Sequence, residues 1–306
     1  MDTKTIEYML CIAKNKNIAA AAEELYLTQS ALNQQLLKLE HELGAPLFVR
    51  NRNNWELTDV GKIYIDSSRE ILRIKTDAYS KIQDLAKQWK GTIRIGLTPE
   101  RGTQMFIALY PAIHKKYPDI VFQPCEASVD AQSKMLNSQQ LDFGFQTIFE
   151  QKYKHLEYMH ICDEPFYLCV PKTHPLAYKD RKKPEEYPEI DLNLFRNDYF
   201  TLVRKTSTMR IIIDRLFEHA GFKPRLLFDS VSMRGMQQLA ANGLCCSIIP
   251  RYYASECDDI AYYTLGEQAH WELTVAYEKN HHINHAMRDF IHMATEYWET
   301  HPYINS

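Results

Sequence analysis

The stretch IAAAAEELYLTQSALNQQLLKLEHELG, residues 18–44, decides how the N-terminal end folds. Its apolar residues step at helical spacing twice: Ile18, Ala21, Ala22 and Leu25 make one face, and Leu32, Leu36, Leu39 and Leu43 make a second that stops at Gly44. Tyr26-Leu27-Thr28 breaks the periodicity between them and leaves room only for a tight turn. Thr28 stands where a hydroxyl accepts a backbone N–H at the start of the next helix. Upstream, Ile6, Met9, Leu10 and Ala13 mark another helix. Two short helices joined at a steep angle form a helix-turn-helix, whose second helix is free to enter the major groove of DNA.

Thr28, Gln29, Ser30, Asn33, Gln34 and Lys38 are the candidate DNA-facing residues on that second helix. Amides pair bidentately with adenine, and hydroxyls, amides and a lysine donate to phosphates. Downstream, residues 45–58 read APLFVRNRNNWELT, two short apolar stretches around a polar tip, the pattern of a hairpin or wing. Arg50 and Arg52 on it are placed to reach the DNA backbone or minor groove; the alternative is a solvated hairpin.

These residues carry a resemblance. Ile18-Ala19-Ala20-Ala21-Ala22-Glu23-Glu24-Leu25, Thr28-Gln29-Ser30-Ala31-Leu32, Leu39-Glu40, Glu42-Leu43-Gly44, Pro46-Leu47-Phe48, Arg50 and Leu57-Thr58-Asp59-Val60-Gly61 resemble the LysR-type transcriptional regulators. The similarity continues more loosely almost to the C-terminus. The resemblance implies a DNA-binding regulator, dimeric or tetrameric, that responds to a small effector and has RNA polymerase as a further partner. It departs from the family pattern at Ser30, Asn33 and Gln34, where proline, serine and arginine are usual. Gln34 in place of a cation removes one phosphate or guanine contact, so an operator preference does not carry over.

Residues 1–90 hold thirteen Lys and Arg against twelve Asp and Glu, a net of +1, so no broad basic field drives association with DNA. From Thr58 to Trp89 there is no Pro and only Gly61, and Val60, Tyr64, Ser67, Ile71, Ile74, Ala78, Ile82, Leu85 and Trp89 recur at steps of three and four. A long helix is expected, burying that seam against a second copy, as the resemblance also implies; packing along its own domain is the alternative.

From Thr92 strand and helix patterns alternate. Ile93–Leu97, Ile120–Phe122 and Leu141–Phe145 are expected as parallel strands with helices between them. A second set has strands at Phe166–Val170, Tyr199–Val203, Leu226–Phe228 and Cys245–Ile249, with helices Met209–His219 and Met233–Ala241. Leu273–Tyr277 and a helix from Ile283 to Trp298 return to the first set. The expected class is α/β: a winged helix-turn-helix (1–58), a linker helix (59–90) and an effector domain (91–306). The effector domain divides into two α/β subdomains, I (91–161 and 267–306) and II (162–266), resembling periplasmic solute-binding proteins.

Open α/β sheets bind ligands beyond the carboxyl ends of their strands. Thr98, Glu100 and Arg101 after the first strand, and Arg204, Lys205, Thr206 and Ser207 before a helix, offer hydroxyls, cations and helix N-termini suited to an anion. Ser128 and Thr147 join them by resemblance. Glu100 suits an amino group instead, giving an amino-acid-like ligand. Each Ser or Thr reads equally as a helix cap, and each cation as a solvated charge.

The remaining classes fall away. The composition, 45% hydrophobic and 25% charged, is that of a globular chain. No GxGxxG, GxxxxGK, GxSxG or HExxH motif is present, so no enzyme, metal or cofactor is expected. His281 and His285 have a metal-like spacing on a possible helix face, with no third ligand. Seven cysteines without a CxxC pair read as reduced and partly buried, with Cys245-Cys246 inside a strand. An N-terminus without basic and apolar leader regions, and the lack of any long apolar run, give a cytoplasmic expectation.

Overall fold

The computed structural model describes residues 2–51, 54–151, 153–254 and 257–303. The chain divides into two compact units, Met1–Gln88 and Trp89–Ser306.

In the first unit, α1 (Thr3–Asn15), α2 (Ile18–Glu24) and α3 (Gln29–Leu43) enclose a small core in which Met9, Ile12, Ala21, Leu32 and Leu36 are fully buried. Asn17 starts α2 by accepting the N–H groups of Ala19 and Ala20. Thr28 Oγ1 starts α3 by accepting from Ala31 N at 3.2 Å. Gly44, at φ 72°, ends α3 in the left-handed conformation that glycine adopts without a Cβ penalty. Strands β1 (Phe48–Val49) and β2 (Glu56–Leu57) pair antiparallel as the wing, Phe48 opposite Leu57. Arg52 lies outside the described residues.

The helix α4 (Asp59–Ala86) is 28 residues long. Thr58 caps it, accepting from Gly61 N at 2.9 Å while its hydroxyl donates to Pro46 O at 2.7 Å. Gly61, Tyr64, Ile65 and Ser68 are buried among the core of the first unit, so Tyr64, expected on the seam, belongs to that core instead. From Ile71 onward the seam is uncovered, with Ile74 56% and Leu85 87% exposed. The helix stops at Ala86, where Lys87 turns left-handed. Trp89 therefore does not extend the seam; its ring meets Tyr117 edge-on at 5.4 Å in the second unit.

The second unit is built on a nine-stranded sheet. β3 (Gly91–Leu97) lies between β4 (Ile120–Glu126) and β5 (Phe143–Ile148), all parallel. The helices α5 (Arg101–Lys116) and α6 (Val129–Asn137) make the crossovers. The 16-residue β6 (Leu156–Pro171) spans both halves of the sheet. Through Pro165 it pairs with β11 (His270–Glu278), and from Phe166 with β9 (Cys246–Pro250) and β10 (Ile260–Thr264). β7 (Tyr199–Val203) follows β9, and β8 (Arg225–Ser230) forms the far edge. Helices α7 (Thr208–His219) and α8 (Met233–Ala241) belong to this half, and α9 (His285–Thr300) returns to the first, its Phe290 packed among Phe106, Phe122, Phe143 and Phe145.

Two strands escape a reading by periodicity. The first half of β6 carries Glu157, His160, Asp163 and Glu164, and its best-buried position after Leu156 is a carboxylate. β10 is a short run, almost wholly buried, behind Asp258-Asp259. A third difference concerns the histidines. Asn284 caps α9 by accepting from Met287 N, so His281 precedes the helix and shares no helical face with His285.

Gly61 is where α4 crosses the wing, and a Cβ there would meet Leu47 O at 2.0 Å. Gly61→Ala is expected to lower stability of the N-terminal unit by about 1–3 kcal/mol, read in a urea melt, with loss of DNA binding.

Candidate functional site

Along α3, Gln29, Ser30, Gln34 and Lys38 are exposed and Asn33 is half-buried, while Leu32, Leu36 and Leu39 face the core. Thr28 is exposed but already engaged, its hydroxyl shared between Ala31 N and Ser30 Oγ. Arg50 is not free in the way the sequence suggests. It pairs with Glu40 Oε2 at 2.5 Å and lies over the Trp55 ring, and Glu40 Oε1 also accepts from Leu47 N. That pair ties the wing to α3, so Arg50 serves first to position the wing.

In the second unit, Thr98 and Thr147 lie together. With Gln146, Phe145, Ile161, Leu273, Thr274, Trp298 and Arg101 they line a cavity of about 10 Å3, the lower limit for one water. Gln146 is 2% exposed; its Nε2 donates to Ser133 Oγ, and its Oε1 has no partner among the described residues.

Arg101 corrects the sequence reading most strongly. It is neither an anion site nor a surface charge, being buried and bound two-fold to Glu164, with Nη1 to Oε2 at 2.5 Å and Nη2 to Oε1. Glu164 also accepts from Tyr252 N at 2.8 Å and from Trp271 Nε1, its cross-strand partner on β11. The guanidinium lies over the rings of Tyr252 and Trp298 at 4.4 and 5.0 Å. Glu164, Trp271 and Tyr252 carry no motif; the only trace in sequence is an acid inside a strand.

Glu100 stands in a strained position. Arg101 N donates to Pro99 O at 2.8 Å, closing a γ-turn around Glu100 at φ 62°, ψ −71°, a conformation rare outside glycine. Its carboxylate pairs with Arg234 of α8 at 3.3 Å across the two halves. Glu150 and Arg215 of α7 pair likewise at 2.8 Å, and Tyr252 OH meets Gln104 at 3.2 Å.

The other expected residues sit apart from the cavity. Ser128 caps α6, accepting from Ala131 N. Arg204, Lys205 and Thr206 are exposed ahead of α7, and Ser207 occupies its N-cap position without a side-chain capping bond. Burial raises the thiol of Cys169 from 9.0 to about 12, and raises that of Cys246 as well. Cys245 sits just before β9 and Cys246 starts it, both buried.

A winged helix-turn-helix with exposed amides on its second helix, joined to a two-part α/β domain, defines a DNA-binding transcriptional regulator carrying a ligand-binding domain. Residues 3–62 match the family described as "Bacterial regulatory helix-turn-helix protein, lysR family", and residues 86–299 the "LysR substrate binding domain". The chain belongs to the LysR family. It is similar to two HTH-type transcriptional regulators of Bacillus subtilis (strain 168). YcgK is 26% identical, with 97% of this chain and 94% of that one covered; AlsR is 25% identical, with 96% and 95% covered. Among solved structures, full-length OxyR from Pseudomonas aeruginosa matches at TM-score 0.69 with 20% identity, covering 97% of each chain. Full-length CbnR complexed with its target DNA matches at 0.50 with 21% identity, covering 97% and 99%.

Two outcomes follow from this geometry. Arg101→Met or Glu164→Leu alone is expected to cost about 3–5 kcal/mol, because each leaves a buried charge unpaired. The double variant recovers most of that, and urea denaturation of the three variants reads the difference. For the thiols, the folded state holds Cys169 protonated, so its contribution is complete below pH 9 and drains as pH rises from 9.0 toward about 12. Alkylation at pH 8 is expected to spare Cys169 and Cys246 in the native protein and to modify both after denaturation, as mass spectrometry reads.

Proposed function

We propose that the chain works as a homodimer or homotetramer in which α4 pairs with α4 of a second copy and spaces two DNA-reading heads for a two-fold-related site. The observation that carries this reading is the uncovered row Ile71, Ile74, Ile82 and Leu85, since apolar side chains repeating along one helix face are buried by a partner in a stable assembly. The working parts are the DNA-binding domain (1–58), the linker helix (59–90) and the effector domain (91–306). Gln29, Ser30, Asn33 and Gln34 read bases, Lys38 and Thr28 contact phosphates, and Arg50 holds the wing while Arg52 reaches the backbone.

The effector is small and charged, anionic or amino-acid-like, and enters the cleft where Thr98, Glu100 and Thr147 converge. Arg204, Thr206, Ser207 and Ser128 form its outer surroundings. Arg101 supports the site from behind. The protein catalyses no reaction, uses no cofactor, acts in the cytoplasm without a membrane, and engages RNA polymerase when bound at a promoter. The described residues contain no helix long and apolar enough to cross a membrane.

Binding of the intact protein to DNA from upstream of its own gene tests the head. For a dimer neutralising roughly four to eight phosphates, log K against log salt is expected to slope at about −4 to −7; binding that hardly weakens with salt would rule this mode out. Ile74→Asp with Ile82→Asp is expected to give monomers on gel filtration and to weaken DNA binding more than ~10-fold. An unchanged elution volume would show that α4 is not the dimer seam.

A further inference from the structure

Two ion pairs begin one residue apart at the start of α5 and differ in kind. Arg101 with Glu164 has side chains 6% and 2% exposed, whereas Arg234 with Glu100 has 53% and 38%. The first pair is sealed from solvent. The second is open to it, so either partner can exchange the other for a ligand group at little cost.

We infer that the effector is a zwitterion, its ammonium taken by Glu100 and its carboxylate by Arg234, and that the Glu100–Arg234 pair is the latch it replaces. This rests on the reading of the cleft as the effector site. Three observations carry it. An acid and a base from opposite halves of the domain already face each other at 3.3 Å, offering a receptor of complementary sign for each end of such a ligand. Glu100 is held there by a γ-turn at φ 62°, a conformation that other residues than glycine keep only when the surrounding structure imposes it. Thr98, two residues before Glu100, shares with Thr147 and Gln146 a small cavity whose other walls are largely apolar, and the Oε1 of the deeply buried Gln146 has no partner among the described residues. An ammonium brings three donors, and Gln146 Oε1 is an acceptor of the right kind for one that Glu100 leaves over.

A plain carboxylate satisfies Arg234 but strands Glu100 next to a second negative charge. A plain amine does the reverse. Only a ligand bearing both charges replaces the pair without leaving Glu100 or Arg234 unpaired, and an analogue lacking one group forfeits that contact. Inserting two charged groups between Glu100 and Arg234 moves them apart, so the ligand-bound state is wider at this rim than their direct 3.3 Å contact.

The test is thermal denaturation and calorimetry of the intact protein with the twenty amino acids, each compared with its deaminated acid and its decarboxylated amine. At least one amino acid is expected to raise the melting temperature, with its acid and amine binding ~10- to 100-fold more weakly. Glu100→Gln and Arg234→Gln are each expected to lose ~10- to 100-fold in affinity for that amino acid while melting normally without it. An acid that binds as well as its amino acid, with Glu100→Gln unaffected, overturns the zwitterion and leaves the effector site standing. If no amino acid, acid or amine alters melting or DNA binding, the zwitterion and the effector reading both fall.

Discussion

Glu164 is a carboxylate withdrawn almost wholly from water where β6 passes from one half of the sheet to the other. A charge in that place is tolerable only with its lone pairs engaged. Arg101 from α5, Trp271 from β11 and the Tyr252 amide from the turn after β9 engage them. Each donor comes from a separate element, so the crossover is a fixed pivot rather than a slack connection. An apolar cluster of similar volume can be as stable as a buried pair. What the pair supplies is direction: a planar guanidinium meets a planar carboxylate in one orientation, and the rings of Tyr252 and Trp298 hold that plane.

The N-terminal unit solves a related problem with one helix used twice. The first turns of α4 give Gly61, Tyr64 and Ile65 to the helix-turn-helix core, and the wing closes over them through Thr58 and Leu47. Beyond Ser68 the same helix has no core of its own unit to face, and its apolar row turns outward. The head is thereby fixed to the helix proposed to set its spacing. That matters where residues 1–90 carry a net charge of only +1, because little long-range attraction is available to compensate for a misplaced contact. Arg50 shows the same economy of charge, since a cation on the wing is spent on Glu40 to hold the wing's angle.

What was legible in the sequence was whatever repeats. The helical steps of α2, α3 and α4, the alternation of β3 through β5, and the cap at Thr28 all follow from local patterning, although β4 runs four residues past Phe122 and β5 is displaced to Phe143–Ile148. The pivot was illegible because its energy is non-local: Arg101 and Glu164 are 63 residues apart, Glu164 and Trp271 are 107, and neither separation has a period. Arg101 therefore looked like an anion receptor, and the polar first half of β6 that holds Glu164 offers no strand periodicity to read. The ends of α4 erred for a different reason. Tyr64 and Trp89 fit the heptad-like spacing, but each found a nearer core, one in the helix-turn-helix and one beside Tyr117.

The two neighbouring ion pairs divide the labour of a switch. A ligand moves an equilibrium only by its difference in affinity for the two states. Taking a population from 1:99 to 99:1 needs about 5.5 kcal/mol of such difference. The two new contacts are discounted by the same solvent exposure that makes the displaced pair worth little, so they supply part of that difference and enclosure of the ligand supplies the rest. Had the displaced pair been as buried as Arg101–Glu164, its loss would have cancelled the gain. Exposure at Glu100 and Arg234, together with enclosure one residue further on, is what allows the cleft rim to change partners while the pivot keeps its geometry.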